Sequence, residues 1–307
     1  MRRGLVSCIM AAAAVLLVLP VMTGGRDKLS SLVSIKDIEI DIPGETDKTI
    51  LVVNDMHVLD MDPDINEKDR DTVILRKEAF KDSEGRYSEI LWNELSGHLD
   101  EADADLIVFN GDMADFMSKT NAQILKAGFD KISTPFIYLR ADHDMGEWYT
   151  SEKMTAAEAR MLSAELAPME EMFVKDMDGF LVLGWNDSTS QLGEEGLKRA
   201  GEALSDGRPV ILFTHVPFDS SYSPDIRDFA LSADPNGRSL LWGSASYYVP
   251  DETTSGLMSL IMEEDSNAAA VFGAHLHKDY EGMLTESIPE YILPPSFEGV
   301  ITRIHIY

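Results

Sequence analysis

The sequence has a single cysteine, Cys8, among its 307 residues. No intrachain disulfide can form, which excludes a small secreted fold held together by disulfides. Positive charge is also scarce, because 26 lysines and arginines face 54 aspartates and glutamates and give a formal net charge of −28. That imbalance excludes proteins that coat nucleic acids or bind membranes through a basic face. No internal repeat and no low-complexity linker is found along the chain.

The N-terminus carries a long apolar run. Arg2 and Arg3 precede an uncharged stretch from Gly4 to Gly25, which as a helix would be roughly 33 Å long and could cross a hydrocarbon core. The same layout is typical of a signal peptide. Residues 1–25 are therefore predicted to be either a cleaved signal or a retained anchor that contacts the membrane. In both cases the two arginines stay inside, and we expect the acidic remainder to be exported, either secreted or anchored on the extracytoplasmic face.

Apolar runs alternate with amphipathic segments after this region, and 44% of the residues are hydrophobic. This pattern is typical of one layered α/β or α+β domain. A lead-in segment at 26–48, with an edge strand at SIKDIEIDI, is predicted to precede a catalytic domain at 49–307. Helices are predicted at 86–102, 151–173, 193–205 and 253–264, and a half-exposed edge strand is predicted at GVITRIHIY. The apolar runs predicted as buried strands are TILVV, LIVF, PFIYL, GFLVLGW, PVILFT and AAAVF.

Five of these runs are followed at once by aspartate or histidine. Five of the seven histidines lie at these strand ends, which leaves only His98 and His305 elsewhere. In open α/β sheets functional groups gather beyond the carboxyl ends of the strands. The residues concerned are Asp55 and His57, Asp112, Asp142 with His143 and Asp144, His215, and His275 with His277.

Each piece taken alone has an ordinary structural explanation. An aspartate after a strand commonly caps a helix or forms a turn, and a lone D-x-H or H-x-H pair is common in proteins. The combination is harder to explain by packing, because five separate strands deliver ligand-type side chains to one edge. Carboxylate and imidazole ligands suit Zn, Mn, Fe, Ni or Co. Their number exceeds the need of one ion and indicates a two-metal site.

The ordered blocks NDMHV, NGDMAD, ADHD, FTHVPF and GAHLH resemble the motifs of the calcineurin-like metallophosphoesterases. The resemblance covers roughly residues 49–280. It implies a two-sheet β-sandwich flanked by helices, and hydrolysis of a phosphomonoester or phosphodiester by a hydroxide that bridges two metal ions. The implied partner is a phosphoester substrate. No nucleic-acid polymer is expected, and no protein partner can be inferred.

The resemblance also assigns roles to individual positions. Asp112 would bridge the two metals, His143 would be the acid that helps the leaving group depart, and Asp144 would orient or polarise His143. Asp115, the second aspartate of NGDMAD, would support the ligands from behind. One metal would be held by Asp55, His57, Asp112 and His277, and the other by Asp112, Asp142, His215 and His275.

Position 142 departs from the family pattern, which has asparagine there. Two divalent cations would be neutralised by Asp55, Asp112, Asp142 and one hydroxide, whereas the asparagine version would keep one positive charge. A neutral centre attracts a phosphate dianion less well. Three outcomes remain open: a trivalent ion such as Fe³⁺ in one position, a substrate of lower charge such as a diester, or weak activity.

Two further differences concern glycines of the family motifs. Ala141 stands where the family has glycine, and Ala274 separates Gly273 from His275. An alanine forced to a positive φ at either place would cost about 1 kcal/mol.

Other readings of the sequence keep the same residues. A protein of this fold that binds metal but catalyses weakly, as a sensor or scaffold, is the second hypothesis, and it rests on Asp142 and on the acidic run after His57. The acidic run LDMDPDINEKDRD after His57 is predicted to be a solvated loop rather than a calcium site, because Ile65 occupies the position where a calcium loop needs glycine.

Overall fold

The structure is a computed structural model that describes residues 28–44, 47–146, 154–187, 191–234, 236, 240–244 and 248–307. The predicted signal or anchor at 1–25 lies outside the described residues. Among the helices that are described, none combines the length and apolar character needed to cross a bilayer.

Two mixed sheets form the centre of the fold. The first has the strand order β1-β11-β2-β3-β4 and the second the order β5-β6-β7-β8-β10-β9. The strands of the first sheet are β1 (Ser34–Ile40), β2 (Lys48–Val53), β3 (Leu106–Asn110), β4 (Phe136–Leu139) and β11 (Val300–Ile306). Those of the second are β5 (Met172–Asp176), β6 (Leu181–Trp185), β7 (Val210–Phe213), β8 (Ala268–Gly273), β9 (Tyr280–Met283) and β10 (Pro289–Ile292).

Helices cover the outer faces of both sheets. The helices of the described chain are α1 (Lys28–Leu32), α2 (Glu67–Ala79), α3 (Ser88–Leu95), α4 (Lys119–Phe129), α5 (Ala156–Leu166), α6 (Glu194–Leu204), α7 (Asp225–Ala233) and α8 (Glu252–Met262). Short 3₁₀ turns lie at Leu99–Ala102, His143–Met145 and Ser296–Glu298.

The core consists of layers that follow from strand periodicity. Alternate residues of a strand point to opposite faces, so Val52 and Val108 pack between the sheets against Phe213 and Phe272. On the outer face of the first sheet, Leu51 and Ile107 pack in one cluster with residues of α3, α4 and α5. A third cluster joins the second sheet to α6 and α8. The expected two-sheet sandwich flanked by helices is thus confirmed.

Three sequence predictions need correction. GVITRIHIY is not an edge strand, because β11 pairs with β1 on one side and with β2 on the other. The predicted helix at 151–173 is too long, since α5 ends at Leu166 and β5 begins at Met172. The acidic run after His57 is not all loop, because α2 begins inside it at Glu67. The predicted edge strand in the lead-in segment is β1, which lies at the edge of the first sheet.

Candidate metal centre

Five parallel strands bring the predicted ligands to one place. In the first sheet β2, β3 and β4 are parallel, and in the second β7 and β8 are parallel. Their carboxyl ends lie side by side where the two sheets meet. The Asn110 side chain donates to the carbonyl of Thr214 at 3.1 Å and joins the two edges. Each of these strands is thus followed within three residues by a predicted ligand at this junction.

An unusual backbone conformation turns the ligands inward. Asp55, His57, Asp112, His275 and His277 all have φ between 45° and 67°, in the left-handed region. This region costs a non-glycine residue on the order of 1 kcal/mol or more, and such strain clusters at functional sites. The residues between the paired ligands, Met56 and Leu276, are buried in the core. Both members of D-x-H and of H-x-H therefore reach the same centre.

The described chain has four overlapping groups of candidate ligating atoms; one is Asp115 with His57 and His143, and two contain most of the predicted ligands. Asp55, His57 and His277 make one group, and the second consists of Asp112, His215 and His275. Within each group the ligating atoms lie within 4.8 Å of one another. These two groups agree with the ligand sets that the family resemblance implies, with two differences. Asp112 belongs to only one of the groups, and Asp142 belongs to neither. Asp142 joins Asp112 and His143 in a further group of the same size.

Asp112 lies between the two groups. Its Oδ2 atom is 3.1 Å from Nε2 of His215 and 3.8 Å from Nε2 of His57. Asp55 is also shared, because its Oδ1 atom is 3.3 Å from Nε2 of His277 and 3.8 Å from Nε2 of His215. Each of the two aspartates thus directs one carboxylate oxygen toward ligating nitrogens of both groups, and the family resemblance gives the bridging role to Asp112.

Hydrogen bonds fix one nitrogen of several histidine rings and leave the other for the centre. Nδ1 of His215 donates to the carbonyl of Asn110 at 2.8 Å. Nδ1 of His57 lies 3.1 Å from the carboxylate of Asp115. Such outer partners select the tautomer and orient a metal-binding imidazole. At His275 it is Nε2 that has an outer neighbour, the hydroxyl of Tyr248 at 3.4 Å.

Unpaired atoms at the centre test whether cations fit. Asp55 Oδ1, Asp112 Oδ1 and His215 Nε2 are buried and have no hydrogen-bond partner within the described chain. Nε2 of His57 and Nε2 of His277 face each other at 2.9 Å, although Nδ1 of His57 already faces a carboxylate. Buried polar atoms are costly when unpaired. Cations between the two groups would satisfy all of them, so the donor set fits two metal ions.

The electrostatics match this donor set at two histidines. Burial lowers the pKa of His57, and it lowers that of His275 to about 3, so both rings are neutral and can offer a lone pair. At His215 burial opposes the charge, but the Asp112 carboxylate raises the pKa of the ring well above its ordinary value. Burial opposes ionisation of Asp115 as well, but hydrogen bonds from Arg76 and His57 outweigh it and lower its pKa to about 2. Burial also opposes the charge on His143, yet the carboxylates of Asp112, Asp142 and Asp115 raise its pKa to about 9.

The backbone carbonyl of Asp115 holds the ring of His143. Nδ1 of His143 donates to that carbonyl at 2.6 Å. Asp144 accepts from the Tyr138 hydroxyl at 2.6 Å and from the backbone N–H of Ala114 at 2.9 Å. Burial and the nearby Asp112 raise the pKa of Asp144 to about 6. These bonds tie Asp144 to the surrounding chain, and its role of orienting or polarising His143 stays a prediction.

The alanines that replace family glycines are not strained. Neither Ala141 nor Ala274 has a positive φ. Both alanines are buried, and the backbone N–H of Ala274 donates to the carbonyl of His215 at 2.8 Å. The expected cost of a methyl group at these positions does not arise from the backbone conformation.

Several residues that support the centre carry no motif in the sequence. The Phe80 ring stacks on His57 with centroids 4.2 Å apart, and the edge of Phe297 meets His277 at 5.3 Å. Arg76 makes a two-pronged ion pair with Asp115. The side chains of His277 and His143 are 33% and 17% exposed and His275 is half-buried, whereas His57 and His215 are nearly inaccessible. Among the histidines of the centre, His277 is thus the most accessible to solvent.

A cavity of the described chain lies away from the predicted ligands. It has a volume of about 680 Å³ and lies between α2 and α5, with Val73 and Phe116 among its lining residues. No predicted ligand lines it. The chemistry is therefore assigned to the ligand cluster and not to this cavity.

The sequence profile of the calcineurin-like phosphoesterases matches residues 48–279, a span that includes all five motif blocks. The chain belongs to this family. A search of curated proteins gives no significant match.

Solved structures with a similar fold include metal-dependent phosphatases. A dimetal phosphatase from Danio rerio is 13% identical with a TM-score of 0.50, and the match covers 82% of this chain and 88% of that one. Purple acid phosphatase PPD1 from yellow lupin seeds is 12% identical with a TM-score of 0.46, over 85% of this chain and 44% of the lupin chain. At this identity the likeness shows the fold alone. The family and the candidate ligand groups together support a metal-dependent phosphoesterase.

Proposed function

We propose that this protein is a binuclear metal-dependent phosphohydrolase whose preferred substrates are phosphodiesters. The observation that carries the proposal is the position of Asp112, whose Oδ2 atom lies within 3.8 Å of ligating nitrogens from both groups. When bound, two cations supply Lewis acidity that lowers the pKa of water and neutralises charge on the phosphoryl oxygens.

The side chains of the protein divide the remaining work. Asp55, His57 and His277 would hold one ion, and Asp112, His215 and His275 would hold the other. The family resemblance adds Asp142 to the second set and gives Asp112 to both. The Asp115 carbonyl holds Nδ1 of His143. The raised pKa of His143 keeps its ring protonated at neutral pH, so the ring can give a proton to the departing oxygen of the substrate.

The preference for diesters follows from charge. Of the four carboxylates in the candidate ligand groups, Asp115 is neutralised by its ion pair with Arg76, which leaves Asp55, Asp112 and Asp142 to face the ions. With one hydroxide they balance two divalent cations, so the centre offers little net attraction to the second negative charge of a monoester. A trivalent ion in one position would restore that attraction, and metal analysis of protein purified without chelator identifies the ions.

The test compares a monoester with a diester. Para-nitrophenyl phosphate and its bis ester are assayed with Mn²⁺, Co²⁺, Ni²⁺ and Zn²⁺, using wild type, His143→Gln and Asp142→Asn. We expect the wild type to favour the diester, His143→Gln to lose about 10²-fold in kcat, and Asp142→Asn to gain relative monoester activity. Full metal binding without hydrolysis of either ester would instead support the sensor or scaffold hypothesis. An unchanged ratio in Asp142→Asn would contradict the charge argument.

We further propose that the enzyme acts outside the cytoplasm, on the basis of the apolar N-terminal run and its two preceding arginines. Protease added to intact cells should digest the protein and spare a cytoplasmic marker. Release into the medium would indicate cleavage of the segment, and recovery with membranes would indicate a retained anchor. Protection equal to that of the marker would contradict the proposal.

A further inference from the structure

A sixth strand end reaches the same junction without contributing a predicted ligand. β6 runs parallel to β7, with Gly184 opposite Phe213. The two residues after β6, Asn186 and Asp187, therefore lie beside the turn that carries His215. Both are buried, and Asp187 is only 4% exposed.

The Asp187 carboxylate contacts the chain on both sides of His215. Its Oδ2 atom accepts the backbone N–H of Val216 at 2.9 Å and lies 3.4 Å from the hydroxyl of Thr214. Its Oδ1 atom is buried and has no hydrogen-bond partner among the described residues. Burying a carboxylate is costly unless it is well paired, so an acid with only these contacts needs a reason beyond packing.

Other bonds restrain the same turn from different directions. Nδ1 of His215 is held by the carbonyl of Asn110 at 2.8 Å, and the carbonyl of His215 accepts from Ala274 at 2.8 Å. These two bonds tie the residue to the first sheet and to β8. Asp187 restrains it from the side of β6, which limits the remaining freedom of the turn.

We propose that Asp187 is a positioning residue of the metal centre, whose carboxylate holds the backbone on both sides of His215 and keeps Nε2 of that histidine directed at Asp112. The inference rests on the proposed function and deepens it. Groups that orient a metal ligand from behind usually change metal affinity by 10- to 100-fold when removed.

The test measures binding of Co²⁺ alone, without any phosphoester, by the visible absorption of full-length protein during titration. We expect wild type to bind two ions. Asp187→Ala should bind one of them 10- to 100-fold more weakly and show an altered absorption band. Asp187→Asn keeps an oxygen that can accept both bonds and should stay within about threefold of wild type. This rescue separates positioning from a requirement for negative charge.

Asp100→Ala is the matched control. Asp100 also accepts two consecutive backbone N–H groups, from Ser133 and Thr134 at 3.0 Å each, but before β4 and at the opposite end of that strand. The Asp100→Ala variant should bind both Co²⁺ ions with the affinities of wild type. Urea unfolding reports whether each variant is folded.

The outcomes separate the inference from the proposed function. If Asp187→Ala binds each ion as tightly as wild type does, the inference is overturned and the proposed function is unaffected. A defect in Asp187→Asn as large as that in Asp187→Ala would also overturn it. Wild type that binds two ions but hydrolyses no ester would overturn the function alone. Wild type that binds fewer than two ions would contradict the binuclear function itself.

Discussion

Gly111 is the residue where backbone and metal centre compete most directly for space. It has a φ of +83°, and a Cβ atom placed there would lie 2.3 Å from Nδ1 of His215. A side chain is therefore excluded twice, by the left-handed conformation and by the imidazole. Gly111→Ala should displace His215, destabilise the fold by several kcal/mol and abolish tight binding of the second metal ion. Urea unfolding and Co²⁺ titration measure the two effects.

Gly85 offers a control with the same backbone and no clash. Its φ is +80°, and nothing lies within 4 Å of the position of a Cβ atom. Gly85→Ala should cost only the strain of the left-handed conformation, about 1 kcal/mol, with both metals retained. Similar losses in the two variants would show that the contact with His215 is unimportant.

Glu290 is a buried acid away from the predicted ligands. One of its oxygens accepts the backbone N–H of Phe218 at 2.7 Å, and the other has no hydrogen-bond partner in the described chain. Burial raises the pKa of Glu290 from 4.5 to about 8. Between these values the folded state holds a proton that the unfolded state has lost. The free energy of unfolding should therefore fall as pH rises from about 4.5 to 8, by roughly 5 kcal/mol at most.

Glu290→Gln removes this ionisation and should flatten that part of the pH profile. Urea unfolding of both proteins between pH 5 and 8.5 gives the comparison, and the variant should gain stability relative to wild type as pH rises. The slope of the free energy of unfolding against pH is the quantity to compare. Its absolute value is less informative, because the new amide also lacks a second hydrogen-bond partner. Parallel profiles would show that Glu290 titrates in its ordinary range.

At the scale of elements, the sequence pattern does not predict the start of α2, because this helix is largely polar. Asn66 caps its start by accepting from the N–H of Asp69, yet only Asp69 and Val73 are buried along the helix. An acidic stretch without an apolar stripe predicts a loop. Here contacts with the rest of the fold stabilise a helix instead. Its last turn presents Arg76 to Asp115, and Phe80 just beyond its end packs against His57.

The strands that carry ligands were predictable for the opposite reason. β3 and β7 are buried along their whole length and β2 from its third residue onward, so they appear as continuous apolar runs that end at the motif residues. Supporting residues such as Arg76 and Asp187 could not be found this way. Their partners are 39 and 29 residues away, and no local spacing records that contact. The interior place of β11 was missed likewise, since alternation indicates a half-buried face and not the number of neighbouring strands.

The contact between α2 and the metal centre yields a prediction. Arg76→Ala removes one cationic partner of the buried Asp115 carboxylate. Asp115 then holds Nδ1 of His57 less firmly. We expect the affinity for the ion held by Asp55, His57 and His277 to fall about 10-fold. Arg208→Ala is the control, because Arg208 pairs with Asp206 and Asp176 at the surface. Co²⁺ titration of both variants measures the effect, and identical affinities would show that Arg76 is dispensable.

At the scale of the whole molecule, the net charge of −28 is the dominant property. The candidate centre is close to neutral once its cations are counted, so the excess negative charge belongs to the remaining surface. That surface repels polyanions, which agrees with the expectation that no nucleic-acid polymer is a partner. The surface carboxylates also repel one another. This repulsion destabilises the compact folded state more than the expanded unfolded state.

Salt should therefore stabilise the folded protein. Raising NaCl from 0.02 to 0.5 M shortens the screening length from roughly 20 Å to about 4 Å, so repulsion between surface carboxylates largely disappears. We expect the free energy of unfolding in urea, which is itself uncharged, to rise by about 1 kcal/mol or more and then level off. KCl should act like NaCl, because screening depends on ionic strength and not on the identity of the cation. Stability that is flat or falls with salt would show that ion pairs such as that of Arg208 with Asp206 outweigh the repulsion. A rise that continues in proportion beyond 0.5 M would indicate exclusion of salt from the protein surface instead of screening.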